Sequence, residues 1–206
     1  MLDCPGRRER RREETKTKIV NSAMELLAEK PYDQITVEDI TERADVAKGT
    51  FFRHFPSKDL VLLEYVDALV EEVNLQIEQI LCGNQGESAW ELLERIAVLV
   101  AEHDGRSKTF ARTLTSICCT NEEVRRALVS MHDDAAMGTE QLILYGVQKG
   151  EFRSDVPARQ VAEQVIRLYA QCLHIWCMRE EITDLTALVR ETLAFFKPAI
   201  DRGEAK

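Results

Sequence analysis

The chain has 206 residues, 45% hydrophobic and 31% charged, which suits a globular protein of one large domain or of a small domain joined to a larger one. No apolar run approaches the roughly 20 residues that cross a bilayer. The start, MLDCPGRRERRREET, has no apolar centre of the kind a secretory signal needs, so a membrane site is excluded and a cytoplasmic protein is expected. The net charge of −9 speaks against a nucleic-acid partner only until it is located: residues 1–60 carry 12 Lys+Arg and 12 Asp+Glu, and the remainder carries 15 against 24.

Within the neutral part, residues 7–18 (RRERRREETKTK) hold seven basic and three acidic groups. Charges beyond a Debye length of about 8 Å are largely screened, so this basic arm can meet phosphates although the whole molecule is acidic. A first helix is predicted from the arm to about Glu29, with Ile19, Ala23 and Leu27 on one face and Pro31 ending it. Thr36 then supplies an N-cap with Asp39 three residues on, close to the capping-box pattern. The second helix lasts to about Ala44, and Asp45 follows where a tight turn wants a residue tolerant of left-handed geometry. A third short helix is predicted over 48–55, stopped by Pro56, and Ser57 caps a fourth over 58–81 with the stripe Leu62, Val66, Leu69, Val73, Ile77 and Ile80. The segment 82–87 reads as the first interhelix loop. Further helices are predicted over 88–103, 108–115, 121–148 with a kink near Gly138, 157–180 with Pro157 in its first turn, and 184–200. The fold class is therefore all-α, with domains expected at 1–57 and 58–206.

Helices as short as the second and third are marginal alone and need a shared core, for which Val37, Ile40, Ala44, Val46, Phe51 and Phe55 are available. If Phe51 and Phe55 face inward at i and i+4, then Lys48 and Phe52 share another face. A cation and a large exposed ring beside Gly49 suit a partner surface such as a DNA base edge carrying a thymine methyl.

Residues 36–58, TVEDITERADVAKGTFFRHFPSK, resemble the tetracycline-repressor family, whose shared stretch runs approximately T-V-x-D-I-A-x-x-A-G-V-S-x-G-T-x-Y-x-H-F-x-S-K. The match falls on Thr36, Val37, Asp39, Ile40, Ala44, Val46, Gly49, Thr50, His54, Phe55, Ser57 and Lys58. The resemblance implies a helix-turn-helix DNA-binding domain followed by a larger helical effector-binding and dimerisation domain, in a transcriptional repressor that a small molecule releases from its operator. It places Lys48, Gly49 and Phe52 near bases, and Thr50, His54 and Lys58 at phosphates, with Thr36 able to meet phosphate through its N–H and hydroxyl. Arg53 lies on the same short helix and joins the DNA-binding set. Gly49 lets the backbone come close to DNA. Three residues depart from the pattern: Asp45 replaces the turn glycine, Ala47 replaces a capping Ser, and Phe52 replaces a Tyr and its hydroxyl.

The helix from Pro157 has two apolar faces, Val161, Val165, Leu168, Cys172 and Ile175 on one and Ala162, Ile166, Tyr169, Leu173 and Cys177 on the other. The last helix adds Leu185, Leu188, Val189, Leu193, Phe196 and Ile200, and two such helices from each of two subunits would make a four-helix homodimer interface. The resemblance implies that the middle helices enclose an effector pocket, for which Trp90, His103, Phe110, Leu114, Met131, Met137 and Trp176 are the candidate lining residues. No cofactor is implied. Six cysteines (Cys4, Cys82, Cys118, Cys119, Cys172, Cys177) without a CxxC pair read as reduced thiols and small core residues. His174 and Cys177, at i and i+3, keep a metal- or thiol-responsive regulator open as an alternative. An all-α enzyme is the remaining one, although no HExxH, phosphate-gripping glycine loop or nucleophile elbow is present.

Overall fold

The helical spacing of the sequence is realised in a computed structural model that describes residues 6–83 and 86–202. Cys4, and Asn84 and Gln85 of the expected loop, lie outside the described residues. The helices are α1 (Arg7–Glu29), α2 (Val37–Ala44), α3 (Lys48–His54), α4 (Lys58–Gly83), α5 (Ala89–Asp104), α6 (Lys108–Thr120), α7 (Glu122–Gln148), α8 (Ala158–Met178) and α9 (Leu185–Ile200), with a 3-10 turn at Tyr32–Gln34. Among the described residues the β pairing is a single isolated bridge between Phe152 and Asp201.

Polar side chains set most of the helix starts. Ser88, Ser107, Asn121 and Asp184 accept backbone N–H groups that open α5, α6, α7 and α9, each satisfying donors that a first helical turn leaves unpaired. Several helix boundaries differ from the sequence reading. The basic arm is the first part of α1, continuous with it from Arg7. Helix α6 runs to Thr120 instead of 115, because Ile117 is buried and gives the added turn an apolar anchor. Pro157 stands at the N-cap of α8, just before its first turn.

Helix α7 is continuous through Gly138, where a kink was expected. The glycine answers packing instead: a Cβ there would stand 2.0 Å from Asn74 Oδ1 on α4. Helix α7 packs most extensively against α4 and α8, forming the centre of the C-terminal part.

Two apolar clusters share the molecule. The first takes Ile19, Ala23 and Leu27 of α1, Ile40 of α2, Phe51 of α3 and Val61 to Leu63 of α4, and is completed by Phe110, Ile117, Val124 and Met131 from α6 and α7. The second collects Ile77, Trp90, Leu142, Val165, Trp176 and Leu193, among others, from α4 and from α5 to α9. Helix α4 enters both, so the expected division after residue 57 falls at the start of a helix the two cores have in common.

The apolar stripe of α9 also lies inside its own subunit, since Leu185, Val189, Leu193 and Ile200 are buried in the second cluster. What α8 and α9 leave outside is different: Leu168 and Ile175 are half-buried, Met178 is exposed, and Phe195 is 90% exposed.

Gly146 shows how tightly the second core is closed. Its carbonyl accepts from the Glu151 and Phe152 N–H groups, and a Cβ on it would meet the Phe152 ring at 2.2 Å. Phe152 is only 2% exposed and has nowhere to retreat. We expect Gly146→Ala to lower stability by about 1–3 kcal/mol by overpacking, against the gain of nearly 1 kcal/mol that helix propensity alone would give. A denaturant midpoint that stays level or rises would refute the packing account.

Candidate nucleic-acid interface

The turn between α2 and α3 depends on one residue in left-handed geometry. Asp45 has φ 53° and ψ 52°, and is the one positive-φ non-glycine among the described residues. Its N–H bonds to the Glu42 carbonyl and the following Val46 N–H to the Thr41 carbonyl, which closes α2. Asp adopts this region more readily than most residues, so the missing glycine is tolerated. Helix α3 opens at Ala47 with no side-chain cap, as the absence of Ser there implies.

With seven residues and no cap, α3 is held by what it buries. Phe51 is fully buried and Phe55 nearly so, their ring centroids 6.0 Å apart. This turns Lys48, Gly49, Phe52 and Arg53 outward, with Thr50 and His54 half-buried beside them. Phe52 is 47% exposed, its ring edge-on to Phe51 at 5.4 Å. A Cβ added to Gly49 would meet nothing within 4 Å, so no contact inside the chain calls for glycine. Six of the eight expected DNA-binding residues thus lie on α3 around the buried Phe51, four exposed and two half-buried.

The other two have partners inside the chain. Thr36 forms the full capping box: its hydroxyl accepts from the Asp39 N–H at 3.1 Å, and its N–H and hydroxyl both donate to Asp39 Oδ2 at 2.7 Å. Lys30 joins at 2.8 Å, and together these donors hold the Asp39 carboxyl well below the usual range. Both Thr36 donors are therefore committed to the box, which sets Thr36 apart from the expected phosphate contacts. Lys58 donates to the Ile35 and Tyr32 carbonyls at 2.7 and 3.0 Å, with its ammonium 4.3 Å from the Tyr32 ring centroid. Two of its three protons hold the approach to α2, so its role in the isolated protein is architectural.

Lys48 is ion-paired with Glu38 of α2, both side chains more than half exposed. An exposed pair of this kind is worth little and opens readily to a stronger partner. Glu38 escaped the sequence reading because the pairing is made across the turn, ten positions apart, where no helical spacing rule applies. His54 has its pKa lowered, by burial first and then by Arg53 and Arg12, so its imidazole is neutral near pH 7. Arg12 and Lys16 of α1 line a surface cleft with His54 and Glu64, and Lys16 pairs with Glu64 at 2.5 Å.

The seven expected pocket residues are not brought together. Trp90 and Trp176 belong to the second core, with Lys197 and Lys108 over their respective rings, whereas Phe110, Met131 and Leu114 belong to the first. Met137 is 54% exposed and lines no interior space. His103 and Phe110 do meet, through a residue the sequence reading missed: Tyr65 stacks on His103 at 4.9 Å and meets Phe110 edge-on at 5.2 Å. His103 Nδ1 is buried there with no hydrogen bond, Asp104 Oδ1 lying 3.5 Å away, while Asp104 Oδ2 accepts from the Tyr169 hydroxyl at 2.6 Å. His174 is exposed while Cys177 is buried in the second core, so the two do not offer a shared ligand face.

Comparison with known proteins adds to this geometry. Residues 19–65 match the family model described as bacterial regulatory proteins, tetR family. The chain is 22% identical over 183 residues to the fatty acid metabolism regulator protein of Bacillus subtilis, covering 85% of this chain and 90% of that one. Over 67 residues it is 40% identical to the transcriptional regulator TcmR of Streptomyces glaucescens, covering 32% of this chain and 30% of that one. In structure it is similar to Thermus thermophilus FadR, a repressor solved with lauroyl-CoA, with TM-score 0.71, 20% identity, and coverage of 93% of this chain and 96% of that one.

The committed Lys58 donors carry a consequence for stability. Lys58→Ala should leave the Ile35 carbonyl without its donor, the Tyr32 carbonyl keeping the Ile35 N–H, and lower unfolding stability by roughly 1–2 kcal/mol in the absence of DNA. A thermal or denaturant transition identical to the parent's would return Lys58 to the free surface cations.

Proposed function

We propose that the chain, whose residues 19–65 match the tetR family of bacterial regulatory proteins, is a dimeric transcriptional repressor of that family which reads operator DNA with α3 and lets go when a small molecule binds. One observation carries the DNA-reading assignment: α3 buries Phe51 and turns outward a cation, a glycine with no internal reason, and a half-exposed phenyl ring. Lys48 and Phe52 supply base-edge contacts, the ring suiting a thymine methyl, while Arg53, Thr50 and His54 supply phosphate contacts. The basic start of α1 brings Arg12 beside His54 and extends the positive surface.

The second subunit follows from symmetry in the target. Two reading helices about 34 Å apart enter successive major grooves of a near-palindrome. Phe195, Met178 and the half-buried Leu168 and Ile175 are apolar groups that a partner on α8 and α9 would cover. The protein acts in the cytoplasm, where its duplex is found.

For the effector, support comes from the aromatic and polar cluster of Tyr65, His103, Asp104, Phe110 and Tyr169, in which the buried His103 Nδ1 on α5 makes no hydrogen bond and has Asp104 Oδ1 at 3.5 Å. A ligand inserted there separates helices that belong to both cores, which links binding to the attitude of α3. Acyl-CoA thioesters are the class to test first, given the lauroyl-CoA bound by the similar repressor.

The test is selection of duplexes from a random pool followed by titration at several salt concentrations. Lys48→Ala and Phe52→Ala should each weaken binding and relax base preference, about 1–3 kcal/mol for a direct base contact. Arg53→Ala should weaken all duplexes alike and reduce the salt slope by about one unit. Equal affinity of parent and variants for selected and scrambled duplexes would end the direct-readout assignment.

A pH dependence follows from His54. Its pKa in the free protein lies below the ordinary 6.5, and a phosphate alongside raises it, so binding takes up a proton. Duplex affinity should therefore strengthen as pH falls below 6.5, and His54→Asn should flatten that rise. An unchanged pH profile in His54→Asn would remove His54 from the phosphate contacts.

A further inference from the structure

Three polar side chains far apart in sequence meet beside the first core, where α6 and α7 pack on the helix-turn-helix side of the molecule. The Tyr32 hydroxyl, in the 3-10 turn ahead of α2, donates to Asp59 Oδ1 in the first turn of α4. The other oxygen of that carboxylate, Oδ2, accepts from Asn121 Nδ2 at 2.9 Å. Asn121 is itself the corner of α6 and α7: its N–H donates to the Ile117 carbonyl at 2.8 Å, ending α6, and its Oδ1 accepts from the Glu123 and Val124 N–H groups, starting α7. One carboxylate therefore ties the α6–α7 corner to the segment that leads into the helix-turn-helix.

We propose that Asn121, Asp59 and Tyr32 form a strut that fixes the orientation of α2 and α3 relative to α6 and α7, making Asn121 and Asp59 positioning residues for DNA reading. The consequence for DNA rests on the function proposed above; the strut itself does not. The apolar contacts at this joint, Phe110, Ile117, Val124 and Met131 against α1 and α4, are non-directional and tolerate sliding. Hydrogen bonds lose strength with small changes of distance and angle, so they set the register that the apolar surface leaves open. The Tyr32 end is firm as well: Lys58 grips the Tyr32 and Ile35 carbonyls, one residue short of the Thr36 cap of α2. Burial and the Asp59 hydrogen bond push the Tyr32 phenol upward, so it stays a donor throughout the accessible pH range. A shift of the α6–α7 corner, such as an effector between α4 and α6 would cause, is thus passed to α2 by a rigid link of three side chains.

The strut can be cut at either end without removing a helix cap. Asn121→Ser keeps an N-cap oxygen for α7 but loses the donor to Asp59, and Tyr32→Phe loses the donor at the other end. In amide hydrogen exchange of the full chain, each variant should speed exchange across α2 and α3 about five- to tenfold while α8 and α9 keep the parent rate. The double variant should go no further than either single one, because both changes break the same link. Each single variant should also lose about fivefold in affinity for a selected duplex with the salt slope unchanged, which a purely local role of Asn121 in α7 would not produce. Faster exchange confined to the start of α7 in Asn121→Ser, or a double variant whose effect is the product of the two singles, would overturn the strut. If the parent binds no duplex at all, the regulator reading fails, and the exchange measurement still decides the strut.

Discussion

Phe51 has no exposed surface, and its burial with Phe55 against α1 and α4 is what keeps α3 a helix. Seven residues without an N-terminal side-chain cap do not hold helical geometry in water. With Phe51 turned inward, Lys48, Gly49, Phe52 and Arg53 are left exposed, and these are the groups that the proposed reading of DNA would use. The same burial ties these groups to the remainder of the molecule, since the cluster holding Phe51 is completed by residues of α6 and α7.

That continuity explains how an acidic protein can present a DNA surface and also regulate it. The positive groups are local, on α3 and the start of α1, and screening separates them from the negative C-terminal part. Mechanical coupling is not screened. Helix α4 contributes Val61 to Leu63 to one core and Ile77 to the other, so a displacement in either is felt by both. Polar links at Asn121, Asp59 and Tyr32 convert that loose apolar continuity into a defined geometry.

Local chemistry was legible from the residues. Thr36 and Asp39 announced the start of α2, Asp45 the left-handed turn, and Pro31 and Pro56 the stops around α1 and α3. These rest on interactions within four residues, which sequence spacing reports directly. The pocket expectation fared differently. Trp90, Phe110 and Trp176 are large and apolar, but so are ordinary core residues, and nothing in one chain distinguishes a ring that fills a core from one that lines a chamber. Met137 is on the surface and Tyr65, unremarked in the sequence, lies between His103 and Phe110.

The sequence by itself determined the helical class, the capping of α2, the turn at Asp45 and the exposure of Lys48 and Phe52 on α3, because each follows from periodicity or from contacts between near neighbours. Only the tertiary structure decided that Lys58 spends two donors on the Tyr32 and Ile35 carbonyls, that Glu38 faces Lys48, that the stripe of α9 is internal, and that one carboxylate joins Tyr32 to Asn121. Those pairings depend on which helix lies beside which, a matter of shape and burial summed over the whole core, and a spacing of 62 residues between Asp59 and Asn121 carries no local signal of it.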